Sequence, residues 1–248
     1  TRRSRTRSAI AGPSAIRWAE RPEMPVDPNA SVEVTAFKWV PPFAQGFVKD
    51  MRIRWALEEI AIPYRERLIG GIFEDKAQDY FADQPFGQVP VYKAEGVSLF
   101  ETGSILIHLG EQNERILPSD ASGRGRAISW MIAALNSVEP TLSALMLVGH
   151  AGAEKDWVDD AKNAVRPFAE SRLQMVSNAL GTKDWLEDRF MIGDLVMIDV
   201  LRSAPEDQLV AAHDNLSAYV ARGTSRPAFK AAMAAQLDAF ARNNPDMG

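Results

Sequence analysis

Apolar and polar positions alternate along Val32-Glu33-Val34-Thr35-Ala36-Phe37, and the run is rich in β-branched residues, which predicts a strand. Pro41-Pro42 ends it. Over residues 47–60 the period changes, with Val48, Met51, Trp55, Leu57 and Ile60 at helical spacing, and Pro63 stops the predicted helix. Residues 64–69 predict a second strand. Gly70-Gly71 then opens a loop that leads to a weak helix over about 75–83. The short runs 89–92 and 97–100 flank the turn Ala94-Glu95-Gly96 and predict a hairpin. Thr102 can cap a helix over 103–112. Beyond Pro118 only helical patterns remain, broken near 149–152, Gly181-Thr182, Pro205 and Gly223-Thr224. The order βαβα, then ββα, then helices predicts a small α/β domain followed by an all-helical one. The expected boundaries are an extension over 1–30 outside the fold, a first domain over 31–117 and a second over 124–248, joined by the polar stretch 118–125.

Composition narrows the chemistry. The chain has 248 residues, 46% of them apolar and 25% charged, the balance of an ordinary folded protein. It has no Cys, which excludes a protein thiol nucleophile, thiolate metal sites and disulfides. Its three histidines, His108, His150 and His213, are far apart in sequence, so no metal is expected. The greasiest stretch, 142–148, is short and contains Ser143, so no membrane span is expected. Any redox or thiol chemistry must then come from a ligand.

Charge is unevenly distributed. Residues 1–23 carry six arginines against Glu20 and Glu23, a balance of +4; the net charge of −5 therefore leaves −9 on the remainder. An acidic body argues against nucleic acid as a partner. The Arg- and Ser-rich segment has the composition of a transit peptide, but Met24 just before the first strand makes that methionine the expected natural start.

The order βαβα–ββα is that of the thioredoxin fold. Phe86-Gly87-Gln88-Val89-Pro90-Val91, followed by Glu101-Thr102-Gly103-Ser104-Ile105, resembles the glutathione-binding half of the glutathione transferases. Three further segments agree: 52–59 is similar to the first helix of bacterial members, Phe190-Met191-Ile192-Gly193-Asp194 to the start of the buried helix of their second domain, and 215–228 to their C-terminal helices. The resemblance spans about 32–242. It implies a thioredoxin-like domain followed by a helical domain, a cytoplasmic homodimer, glutathione as co-substrate without a metal, and a small apolar electrophile bound between the domains, in the manner of a detoxification enzyme.

It also implies roles for residues. Val89, before a cis Pro90, would pair its backbone with the cysteinyl moiety. Thr102, at a helix start where free N–H groups and the helix dipole favour an anion, would hold the γ-glutamyl carboxylate. Glu101 would face the ammonium of the same group, and Gln88 would donate an amide to the glycyl or cysteinyl part. Met191 offers no oxygen where the family has Ser or Thr, so half of a capping box is missing and Asp194 is left with a folding role.

The chain departs from the family pattern at the thiol. A free thiol has a pKa of ~8.5, so a transferase needs a group that favours the thiolate. Family members place a Tyr, Ser or Cys just after the first strand; residues 38–46 contain none. Because Pro41 and Pro42 lack N–H groups, the substitutes expected here are the backbone donors of Phe43 and Ala44 and the side chain of Gln45, with Arg52 or Arg54 adding charge. The missing hydroxyl leaves two alternatives: a non-catalytic binding or assembly module, or a glutathione-dependent isomerase, lyase or dehalogenase that differs only in its acceptor.

Overall fold

A computed structural model describes residues 26–71 and 76–245 of the chain. The arginine-rich segment 1–23, Met24 and the first residue of the weak helix expected over 75–83 lie outside the described residues.

The four strands among these residues are β1 (Val32–Phe37), β2 (Tyr64–Ile69), β3 (Val91–Ala94) and β4 (Val97–Phe100). They form one sheet in the order β2-β1-β3-β4. β1 runs parallel to β2, with Val32 opposite Tyr64 and Phe37 opposite Ile69, whereas β3 is antiparallel to both β1 and β4. A parallel pair needs a crossover, and α1 (Asp50–Ile60) supplies it. Its end is fixed by Ala61 in the left-handed region and by the Ile62 N–H bonded to Leu57 O, just before Pro63. The fold begins earlier than the expected boundary at 31: Val26 bridges Tyr64 in parallel, the Asp27 N–H donates to Tyr64 O, and Ala30 is buried.

A short α2 (Tyr80–Asp83) leads to the hairpin, and α3 (Thr102–Glu111) follows it. Thr102 does not cap that helix. Glu101 occupies the N-cap position with φ 70° and ψ 121°, and Thr102 is the first helical residue. The helix includes the residue expected to cap it because the turn from β4 is made at Glu101 alone, whose left-handed backbone takes the N-cap position.

The helical region opens with α4 (Ala121–Ala133), a π-helical turn (Ala134–Val138) and α5 (Glu139–Ala151), which run on as one helix. That 31-residue helix, with a mean hydropathy of 1.5 over its most apolar stretch, is long and apolar enough to cross a membrane by length and composition alone. Its apolar character does not show as an unbroken run in the sequence, because Ser129, Asn136 and Ser137 interrupt it. In this fold α4 packs on α7 (Ile192–Arg202) and α5 packs on α6 (Val158–Leu180). The α4–α7 approach is close enough that a Cβ on Gly193 would fall 2.7 Å from Trp130 Cβ. Short α8 (Asp207–Ala211), α9 (Asp214–Thr224) and α10 (Pro227–Arg242) complete the chain.

All eleven residues of α1 are buried, because one side of the helix faces the sheet and α3 and the other faces α7 and α10. Trp55 sits at this junction, with its ring 4.9 Å from Phe229 and 5.5 Å from Phe190. Arg226 stacks 4.1 Å above the Phe190 ring and pairs with Glu59 at 2.6 Å. The segments around 190 and 226, recognised separately in the sequence, therefore meet on the first helix.

Asp194 anchors the buried α7. Its Oδ2 accepts the Met191 N–H at 3.0 Å, and its Oδ1 accepts both the Leu186 N–H and the Tyr219 hydroxyl at 2.8 Å. Replacing it with Ala would strand three buried donors. Asp194→Ala is expected to destabilise the protein by roughly 3–5 kcal/mol, read as a lowered urea midpoint at unchanged m value. A loss below about 1 kcal/mol would contradict this role.

Candidate functional site

Between the α/β unit and the start of α5 lies a cavity of about 180 Å³, lined by Lys49, Arg52, Gln84, Gln88, Val89, Pro90, Glu101, Thr102, Leu135 and Glu139. Of the residues named from sequence, the structure gathers Gln88, Val89, Pro90, Glu101 and Thr102 here. The Val89-Pro90 bond is cis. Both residues are buried, and they carry the chain into β3 along one wall.

Thr102 is buried at the N-terminus of α3, where the first backbone N–H groups have no partner within the helix. The helix dipole adds partial positive charge at the same place. Glu101 is exposed, and its side chain makes no capping bond. Its backbone lies in a region that L-residues rarely adopt, a conformation that tends to persist at binding sites. The tyrosine hydroxyl of Tyr80 donates to Gln88 O at 2.5 Å and so fixes the loop before the cis bond. Burial pushes that phenol up to about 12, which keeps it a donor at neutral pH.

In the turn after β1, two of the three expected donors, the Ala44 N–H and the Gln45 side-chain amide, bond within the turn itself. Residues Pro42–Ala44 form a 3-10 turn in which the Ala44 N–H donates to Pro41 O at 2.9 Å and the Gln45 N–H to Pro42 O at 3.2 Å. The Gln45 side-chain amide donates to Val40 O at 3.0 Å, and the Phe43 side chain is 69% exposed. Phe43, Ala44 and Gln45 are absent from the cavity lining. Two consecutive prolines force a compact turn, which the Ala44 and Gln45 N–H groups close.

Four polar residues were missed as cavity walls or recognised only in part. Gln84 is buried, with its side-chain oxygen fixed by the Phe86 N–H at 2.6 Å. Lys49 precedes α1, and Arg52 lies in its first turn. Glu139 comes from the helical region, and the π-helical turn just before it presents both Leu135 and Glu139 to the cavity. The unusual density of charge between 49 and 59 was the available signal; the partner at 139 left none.

These charges form a chain. Glu139 accepts Lys49 Nζ at 2.9 Å and Arg52 Nη2 at 3.0 Å; Arg52 Nε donates to Asp199 Oδ2 at 2.6 Å, and Asp199 Oδ1 also accepts Arg202 Nη2 at 2.6 Å. Burial opposes the charge on Glu139, yet the Arg52 guanidinium, helped by Lys49, holds its carboxyl below the usual glutamate value. Asp199 is held down in the same way by Arg202 and Arg52 against its burial. Among the described residues no cluster of His, Cys, Asp and Glu has the arrangement of a metal site.

Residues 35–111 match the family model for the glutathione S-transferase N-terminal domain. The chain is 27% identical over 168 residues to glutathione S-transferase GstA of Escherichia coli O157:H7, an alignment covering 65% of this chain and 80% of that protein. In three dimensions it resembles a glutathione transferase family member from Pseudomonas fluorescens, solved with two glutathiones bound. That match has a TM-score of 0.71 at 19% identity and covers 82% of this chain and 92% of the other. A glutathione transferase from Burkholderia graminis, with two glutathione molecules per subunit, gives a TM-score of 0.68 at 21% identity over 88% and 89%.

The Glu139 cluster has a testable acid dependence. Its lowered carboxyl stabilises the fold fully above the ordinary glutamate value of 4.5, and that contribution is lost as pH falls through the lowered folded value. Burial shifts Asp50 and Asp194 the opposite way, so the stability curve of the whole protein mixes signs. The stability difference between wild type and Glu139→Gln isolates this group, and in urea titrations it is expected to shrink below pH 4.5. A difference that stays constant down to pH 3 would refute the assignment.

Proposed function

We propose that the chain is a member of the glutathione S-transferase family, that this cavity binds glutathione, and that the protein transfers glutathione, through its sulfur, to a small apolar electrophile. The observation that carries the reading is the convergence of Gln88, Val89, Pro90, Glu101 and Thr102 on one small cavity. Glutathione has two carboxylates, one ammonium and one thiol, and all but the thiol find a counterpart there. The α3 N-terminus and the Thr102 hydroxyl take the γ-glutamyl carboxylate, and Glu101 takes the ammonium beside it. The backbone at Val89 runs along the cysteinyl part, in the manner of an added strand. Gln88 and Gln84 supply amide donors to the remaining peptide.

In the reaction the thiol proton passes to solvent. The thiolate then attacks the electrophile, a C–S bond forms, and the leaving group departs with its electron pair. Holding both reactants and favouring the thiolate supplies most of the acceleration. The acceptor sits towards the helical region, whose Leu135 already reaches the cavity. The protein acts in the cytoplasm, where reduced thiols prevail.

A second reading, a non-catalytic binding module, is favoured by one observation: in the turn after β1 the Ala44 N–H and the Gln45 side-chain amide close the turn itself. The two readings share the binding site and part at the thiol. Calorimetric titration with reduced glutathione, while following thiolate absorbance in the ultraviolet, separates them: binding with thiolate formation at neutral pH supports the enzyme, and binding as the thiol supports the module. Thr102→Ala is expected to weaken binding about tenfold or more, the value of a hydrogen bond to a charged group. Absence of wild-type binding at millimolar glutathione would overturn both.

The chain also forms a homodimer in this proposal. Ile132, Met146 and Leu147 stand about half or more exposed on the long apolar helix, a face that association would cover. Sedimentation at micromolar protein should give twice the chain mass of 27.4 kDa, and a species at the single mass would refute it.

A further inference from the structure

We infer that Lys49 supplies the thiolate-stabilising charge that the turn after β1 lacks, its ammonium contacting the glutathione sulfur directly while Glu139 and Arg52 hold it in place. The inference rests on the glutathione reading of the cavity and names the group that reading leaves open.

Three observations carry it. The first is position. Lys49 is the residue immediately before α1, and it lines the same small cavity as Val89 and Pro90, against which the cysteinyl part lies. A ligand sulfur beside Val89 is then within reach of a flexible four-carbon side chain. The positive end of the α1 dipole lies at the same point and acts in the same direction.

The second is charge. Among the described residues, Lys49, Arg52 and Arg202 share two carboxylates, Glu139 and Asp199, so the linked group keeps one surplus positive charge. The Arg52 and Arg202 side chains are only 2% and 9% exposed, whereas the Lys49 side chain is 56% exposed. The surplus therefore resides at the Lys49 end, the end that can move to meet a ligand. Glu101 also faces the cavity, but its carboxylate opposes the ammonium of glutathione.

The third is donor count. An ammonium has three N–H groups, and the bond to Glu139 at 2.9 Å uses one. Two remain for the sulfur without breaking the pair that orients them. Glu139 and Arg52 thus act as positioning residues: the carboxylate aims the ammonium, and the guanidinium, held by Asp199, keeps the carboxylate from neutralising it. The thiol proton leaves to solvent. Charge of opposite sign beside a thiol lowers its pKa, and each unit is a tenfold gain in thiolate.

The test is the pKa of enzyme-bound glutathione, read from thiolate absorbance against pH in wild type, Lys49→Met and Lys49→Arg. Lys49 is half exposed, so neither substitution disturbs the core. Lys49→Met is expected to raise the bound thiol by about one unit, with tenfold less thiolate at neutral pH and a matching fall in kcat towards an aryl halide; Lys49→Arg should keep most of the wild-type value. Weakened glutathione binding with an unchanged thiol pKa in Lys49→Met would place Lys49 on a carboxylate and overturn the inference alone. An unchanged affinity and an unchanged pKa would also overturn it. Wild-type protein that binds no glutathione would instead sink the reading of the cavity itself, and this inference with it.

Discussion

Helix α1 lies wholly inside the protein, although Asp50, Arg52, Arg54, Glu58 and Glu59 give it five charges in eleven residues. A buried charge is tolerable only when it is paired, and α1 is too crowded to satisfy itself. Asp50 and Arg54 pair within the helix at 2.6 Å, and Arg54 also reaches Glu66 on β2. The remaining pairs extend outward. Arg52 reaches Asp199 on α7 and Glu139 on α5, Glu59 takes Arg226 before α10, and the Gln236 amide on α10 donates to Asp50. Removing one member of such a pair costs about 3–5 kcal/mol, because its partner is left buried and uncompensated. The α/β unit and the helices are thereby fixed in one relative placement, with Trp55 filling the apolar part of the same seam.

The cavity depends on that placement. Its floor, Val89-Pro90 and the start of α3, belongs to the α/β unit alone; its far wall, Leu135 and Glu139, belongs to the helical region. The pairs from Arg52 to Glu139 and Asp199 bring the two together. A single arginine so joins the packing of the molecule to the electrostatics of the site, and this is why the charge best placed to meet a ligand is the lysine three residues before it.

Much of the fold was legible in the sequence. The spans of β1 and β2 were read to the residue, because alternation and flanking prolines are local signals. The predicted helix from 47 begins instead at Asp50, after a series of turns that pattern alone does not distinguish from helix. The helical breaks at Gly181, Pro205 and Gly223 fall within a few residues of the observed ends. Pro167 lies inside α6 without ending it, since packing along 23 residues outweighs one missing hydrogen bond. The N-terminal limit was placed too late because a lone bridge at Val26 has no pattern.

What the sequence alone determined is the set of groups that local geometry brings to the cavity. Gln88, Val89, Pro90, Glu101 and Thr102 lie in two short stretches whose own turns and helix start position them. Tertiary structure decided which charges share the cavity with them. Lys49 and Glu139 are ninety residues apart, and no periodicity links a helix start in one region to a π-helical turn in another. Tertiary structure also decided that the donors of Ala44 and Gln45 close their own turn, because a hydrogen bond's partner depends on where the chain folds back rather than on which donor is present.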